Sequence, residues 1–99
     1  MGTRRTERTE ISVTGRYRRG TGAARDVEIL DLTEEGCRFF DRFGRLPEGT
    51  EISLRIGPIG PLLATVRWRN EGKVGVEFDQ PLYGPVFEHI RDQIAASQA

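Results

Sequence analysis

The sequence predicts a small all-β domain of six antiparallel strands, a sandwich or a barrel, followed by one C-terminal α-helix. Two observations lead to this prediction. Apolar residues alternate with polar ones from Glu10 to Phe78, with Gly and Pro turn signals at short intervals. After Pro81 the apolar residues recur every three or four positions, which is typical of a helix. A chain of 99 residues with 36% hydrophobic residues has room for one domain and one core.

Strand one begins the alternating pattern, with Ile11 and Val13 separated by polar residues. Residues 15–22 are rich in Arg and Gly, so we expect a loop there rather than core. The residues before Thr9 carry no apolar side chain except Met1. We therefore expect residues 1–9 to form a leader that stays mobile until a ligand holds it.

Strand two contains a change of phase. Val27 and Ile29 share one parity, whereas Leu30 and Leu32 have the other. Either both faces of the strand are covered, or a bulge near Asp31 resets the alternation. Bulges are common at barrel rims and next to binding sites, so this point is of functional interest.

The remaining strands follow from the same alternation. Cys37 and Phe39 define strand three, and an irregular segment after it is expected to cap one end of the core. Pro47-Glu48-Gly49, Gly57 to Pro61 and Asn70-Glu71-Gly72 are turn signals. The capping residues are Phe40, Phe43 and Leu46; the core positions are Ile52, Leu54 and Ile56 in strand four, Leu62, Ala64, Val66 and Trp68 in strand five, and Val74, Val76 and Phe78 in strand six.

The period changes near the C-terminus, where a helix over residues 82–96 is predicted to lie against one end of a barrel formed by residues 10–79. We expect residues 95–99 to fray. The apolar face of this helix is Tyr83, Val86, Phe87, Ile90 and Ile94.

Composition excludes several classes of protein. No apolar run is long enough to span a membrane, and the N-terminus has no hydrophobic signal segment, so we expect a cytoplasmic protein. Cys37 is the only cysteine and His89 the only histidine, which leaves no internal disulfide and no Cys/His set for zinc. The same two residues offer no catalytic triad, so we predict that the protein is not an enzyme and holds no metal or cofactor.

Two clusters carry binding chemistry. Arg4, Arg5 and Arg8 stand just before strand one, and guanidinium groups grip phosphates bidentately or lie over a purine face. Asp31-Leu32-Thr33-Glu34-Glu35-Gly36 lies in the turn between strands two and three. A carboxylate there can accept from the N1–H and the exocyclic amine of a guanine. Together the clusters suit a ligand that combines phosphate with guanine.

In their order and setting, these motifs resemble those of the PilZ domain family, and the resemblance covers nearly the whole chain. Members have an Arg-x-x-x-Arg motif before the first strand and an Asp/Asn-x-Ser-x-x-Gly motif on the turn between the second and third strands. The first motif is matched here from Arg4 to Arg8, and the second from Asp31 to Gly36. Thr33 stands where the family most often has serine. The last two strands match too, with Ala64-Thr65-Val66-Arg67-Trp68 and Gly75-Val76-Glu77-Phe78.

The resemblance implies a PilZ-like split barrel that binds the bacterial second messenger cyclic di-GMP and signals to a protein partner. Arg4 and Arg8 would then hold phosphate and stack on guanine, with Arg5 as anchor or helper. Asp31 would read guanine, and Thr33 would contact phosphate or base. Gly36 would allow a close approach of the backbone. Trp68 is a lesser candidate, because its parity with Val66 favours a place in the core.

Two other functions remain open from the sequence. A PilZ-like module that does not bind nucleotide would act by protein contact alone, but the complete arginine and aspartate motifs argue against it. A small-barrel nucleic-acid binder would use Arg16, Arg18 and Arg19, which flank Tyr17, together with exposed aromatic side chains. The pI near 6.6 argues against a general nucleic-acid coat, and most of the aromatic residues fall on core parity or in the capping segment.

Overall fold

A computed structural model describes residues 9–42, 45–57 and 59–98 of the chain. Six antiparallel strands close into a barrel in the order β1-β2-β3-β6-β5-β4, and one helix follows. The barrel and the helix confirm the predicted fold. The elements are β1 Thr9–Arg18, β2 Arg25–Leu32, β3 Gly36–Phe40, β4 Glu51–Ile56, β5 Ile59–Asn70, β6 Lys73–Phe78 and α1 Gly84–Gln98.

The core occupies the inside of the barrel because alternate residues of every strand point inward. In β4 the pattern is regular, with Ile52, Leu54 and Ile56 buried and the residues between them more exposed. Ala64 and Val66 of β5 and Val74, Val76 and Phe78 of β6 are also buried as predicted.

Strand β1 is longer than its sequence suggested. Residues 15–18 were expected to be loop, but all four pair with β4, and Gly15, Arg16 and Tyr17 pair with β2 as well. Tyr17 is 2% exposed and stacks on Phe39, with ring centroids 5.6 Å apart. Arg16, Tyr17 and Arg18 keep the out-in-out alternation of a strand, which their composition concealed. Gly15 fits here because a Cβ would lie 2.5 Å from Ile29 Cδ1.

A bulge in β2 resolves the change of phase in the sequence. Ile29 pairs with Phe39 and Asp31 pairs with Arg38, so two residues of β2 oppose one of β3. Ile29 and Leu32 both point into the core as a result. Asp31 is placed on the outer face of the barrel wall. Of the two alternatives left by the sequence, the structure confirms the bulge.

A second bulge, in β5, corrects the expectation that Trp68 is a core residue. Val66 pairs with Val76, but Trp68 pairs with Gly75, so the register shifts by one residue between them. Val66 therefore points inward, whereas Trp68 shares the outer face with Gly75 and is 36% exposed. Parity along one strand predicts a face only where the register is continuous.

The helix and the segment after β3 close the core. Phe87 and Ile90 of α1 are buried, as is Leu46, which confirms these three predicted contacts. Tyr83 and Val86 were predicted to join this apolar face, but both are exposed. Tyr83 precedes the helix, which begins at Gly84.

The two predicted capping phenylalanines differ from Leu46 in their outcome. Phe43 lies outside the described residues, and Phe40 belongs to β3, where it is half-buried.

Within the described part of the chain, no helix has both the length and the apolarity needed to cross a bilayer.

Candidate functional site

Four residues form one row across the outer wall of the barrel. Asp31 of β2 pairs with Arg38 of β3, Arg38 pairs with Gly75 of β6, and Gly75 pairs with Trp68 of β5. Residues that pair across antiparallel strands point to the same face. Both bulges are needed for this row, because each moves one of its end residues onto the outer face.

An ion pair joins the first two residues of the row. Arg38 Nε donates to Asp31 Oδ2 at 2.6 Å, and a terminal nitrogen of the same guanidinium contacts the same oxygen. Asp31 is 1% exposed, whereas the side chain of Arg38 is 35% exposed. The carboxylate is therefore enclosed by the protein, and its partner is the more solvated member of the pair.

The Thr33 hydroxyl organises the turn between β2 and β3. It accepts from the backbone N–H of Glu35 and of Gly36, each at 3.1 Å, and lies 3.2 Å from the Gly36 carbonyl oxygen. The Thr33 N–H donates to the same carbonyl at 2.8 Å. Thr33 thus uses its hydroxyl to hold the turn, a role that Ser would fill equally well.

Gly36 is required by the packing of the barrel itself. A Cβ at this position would collide with the backbone carbonyl oxygen of Val76 and would lie 3.1 Å from Glu77 Cα. Because the clashing atoms belong to the backbone, no change of side-chain rotamer can relieve the clash. The close approach that Gly36 allows is therefore between β3 and β6, whatever ligand the site takes.

Trp68 lies directly over Gly75. A Cβ on Gly75 would overlap the indole, with Cζ2 only 2.7 Å away. The absence of a side chain at Gly75 thus lets the ring lie against the backbone of β6 on the outer wall. An indole held in this way, with about a third of its surface open, is a stacking platform for a planar ligand.

The row lines a groove of about 460 Å³ that also includes the β2–β3 turn. Asp31, Thr33, Gly36 and Trp68, four residues selected from the sequence, all border it. Arg67 and Glu77 add an exposed ion pair at its edge, with Arg67 Nε 2.7 Å from Glu77 Oε1. The groove therefore combines a buried carboxylate, two guanidinium groups and an aromatic face.

Cys37 also lines the groove, but it is a core residue. Burial, together with the charge of Asp31, raises the pKa of the Cys37 thiol well above its ordinary value. A thiol in this protonated state is a poor nucleophile and a poor metal ligand. Among the described residues, no group of three His, Cys, Asp or Glu side chains is placed to hold a metal ion.

The three predicted arginines, Arg4, Arg5 and Arg8, lie outside the described residues. Sequence reasoning missed Arg38 and Gly75. The alternation of Cys37, Arg38 and Phe39 already placed Arg38 on the outer face beside the Asp31 turn, so that signal was present. The role of Gly75 depends on the β5 bulge, which no local pattern indicates.

The family model for the PilZ domain matches residues 2–96. The chain belongs to the PilZ family. Comparison with curated proteins gives no match. PilZ domains are non-catalytic binding modules, and they typically bind cyclic di-GMP. The closed barrel and the C-terminal helix agree with this membership.

Proposed function

We propose that this PilZ domain is a cyclic di-GMP receptor whose ligand binds in the groove at the outer row. The observation that carries the proposal is the shared groove of Asp31, Arg38 and Trp68, which joins a carboxylate, a guanidinium and an aromatic face. A guanine needs all three kinds of contact: an acceptor for its Watson–Crick edge, a donor for its N7/O6 edge or phosphate, and a flat surface for its ring.

Asp31 reads the guanine edge in this proposal. Its side chain is held by Arg38, so little rotamer freedom is lost when a ligand arrives. A carboxylate in a fixed position accepts from two adjacent donors, which guanine has and adenine lacks. Arg38 is exposed enough to rotate toward a phosphate while keeping contact with Asp31.

Arg4, Arg5 and Arg8 complete the site by supplying charge. Cyclic di-GMP carries two phosphates, and three arginines suffice to neutralise them. Trp68 supports a base by stacking, and Thr33 keeps the turn in the shape that presents Asp31. Ligand binding then changes the surface that the barrel offers to a protein partner, which completes the signalling step.

Calorimetric titration with cyclic di-GMP tests this function, with GTP and a short RNA as control ligands. Wild type should release heat with cyclic di-GMP alone, and the Arg4/Arg5/Arg8→Ala variant should lose roughly tenfold or more in affinity. Lys73→Glu, a charge change on the turn side of β6, serves as the control and should titrate like wild type. Silence in wild type would favour the protein-interaction module, and heat with RNA alone would favour the nucleic-acid binder.

A further inference from the structure

A second surface, on the other side of the barrel, carries arginines that the groove does not use. Arg16 and Arg18 of β1 and Arg55 of β4 point outward beside Ser53. In the closed barrel β1 lies opposite β6, and β4 lies opposite β3. This β1/β4 surface, defined by Arg16, Arg18, Ser53 and Arg55, therefore faces away from the row of Asp31 and Trp68.

The strand register opposes two of these arginines directly. Arg16 pairs with Arg55 across β1 and β4. Like charges in directly opposite positions destabilise a sheet unless a counter-charge lies beside them. Asp26 neutralises Arg16 at 2.8 Å, with both side chains largely exposed. Within the described residues, Arg55 has only a 3.5 Å contact to the Gly60 carbonyl, and Arg18 has no ion pair.

Two adjoining depressions give this surface its shape. One, of about 240 Å³, is bordered by Arg16, Arg18, Ser53 and Arg55; the other, of about 370 Å³, is bordered by Thr14, Arg16, Asp26 and Arg55. Arg16 and Arg55 border both depressions, so the arginine pair lies at their junction. Together the two depressions follow β1 from Thr14 to Arg18, and we call them the trough. An elongated trough fits a chain that runs along the strands better than it fits a single small anion.

We propose that the β1/β4 surface binds an extended acidic segment of a partner protein. Arg16 and Arg18 are two residues apart on one strand, so they are separated by roughly 6.6 Å along it. Acidic side chains at alternate positions of an extended peptide have the same spacing. One carboxylate then meets the Arg18 guanidinium, and another lies between Arg16 and Arg55, where it adds to the neutralisation that Asp26 already gives Arg16.

A nucleic acid is the less suitable occupant of this surface. Single strands bind basic grooves through exposed aromatic side chains on which bases stack. Tyr17 is the aromatic residue that borders the trough, and it is buried, with its hydroxyl donating to Asp41. The trough therefore offers charge without a stacking platform.

Fluorescence anisotropy with defined probes tests the proposal at low ionic strength. The main probe is a labelled peptide of about ten residues in which glutamate alternates with threonine. A second peptide holds the same residues in two blocks, and an oligouridine RNA of equal charge is the third probe. We expect the alternating peptide to bind wild type several-fold more tightly than the block peptide or the RNA, with an affinity that falls as salt is added.

Charge reversal locates the binding. Arg18→Glu/Arg55→Glu should weaken binding of the alternating peptide by roughly tenfold or more, whereas Lys73→Glu on β6 should bind within about twofold of wild type. Arg55→Glu should also raise the midpoint of thermal unfolding by about 2–5 °C, because it turns the opposed pair into an attractive one. Stability gained as binding is lost is an outcome that simple unfolding of the variant cannot produce.

Three results would overturn the proposal: no binding of the alternating peptide to wild type, equal binding by the double variant and the Lys73→Glu control, or tighter binding of the RNA. None of these probes contains cyclic di-GMP. The outcome is therefore independent of whether the groove on the other side binds that nucleotide.

Discussion

Asp31 and Asp41 are the two carboxylates that the described part of the barrel buries, and they differ in the partners that hold them. The Tyr17 hydroxyl, itself buried, donates to Asp41 Oδ2 at 2.5 Å, and Arg25 lies 3.6 Å from Oδ1. Asp31 is held instead by Arg38, an arginine on the outer wall beside an open groove. The carboxylate tied to a core phenol stabilises the fold, whereas the one tied to a half-exposed arginine borders the groove in which we propose that the ligand binds.

The largest expected effect is on stability at Asp41. Asp41→Ala leaves the buried Tyr17 hydroxyl without its acceptor, so we expect the free energy of unfolding to fall by about 2–4 kcal/mol. Urea denaturation measures this loss. In the Tyr17→Phe/Asp41→Ala double variant the loss should be smaller than the sum of the two single losses, because the same bond is removed in each. Additive losses would show that the two side chains do not act together.

Asp31→Ala should separate binding from folding. Arg38 can turn toward water, so stability should fall by about 1–2 kcal/mol, less than at Asp41. Affinity for cyclic di-GMP should fall by at least roughly tenfold, which corresponds to the loss of one charge-assisted contact. Calorimetry and urea denaturation on the same preparation check both. A variant that titrates like wild type would remove Asp31 from the site.

Gly75→Ala alters the row without touching either aspartate. The new methyl group displaces the indole of Trp68 from its position over residue 75, and the indole can move into the solvent beside it. We expect affinity for cyclic di-GMP to fall by roughly fivefold, within the range for losing one stacking contact. Circular dichroism should show an intact barrel. Gly36→Ala is the contrasting case, because its methyl meets backbone and should disrupt the fold.

The smallest effect at neutral pH concerns ionisation of Tyr17. Burial, and then the hydrogen bond to Asp41, raise the pKa of Tyr17 to about 12. The folded state therefore favours the neutral phenol. Its contribution to stability is complete below the ordinary tyrosine pKa of about 10 and is lost as pH rises toward 12. Unfolding free energies measured across this window should decline less in Tyr17→Phe; parallel curves would exclude Tyr17 as the cause.

The sequence predicted the strand count and the helix, because alternation and turn signals are local. The four residues that it selected from the turn motif and strand five all border the groove, although the alternation favoured a place in the core for Trp68. For β2 the sequence left two alternatives, a strand covered on both faces or a bulge near Asp31. The bulge is present, because Ile29 and Leu32 cannot both face the core without one. What the sequence missed depends on pairing between strands. Trp68 is moved to the outer face by a register shift against β6, and Tyr17 is buried among arginines by pairing with β2 and β4.

Emission from Trp68, the only tryptophan of the chain, tests most directly whether the outer row binds cyclic di-GMP. The proposed site predicts a saturable change in Trp68 fluorescence on titration with cyclic di-GMP, absent with GTP. In Asp31→Ala the change should need at least roughly tenfold more ligand, whereas Arg18→Glu/Arg55→Glu, which alters only the opposite surface, should titrate like wild type. Binding detected by calorimetry with no change in Trp68 emission would place the ligand elsewhere and contradict the central claim.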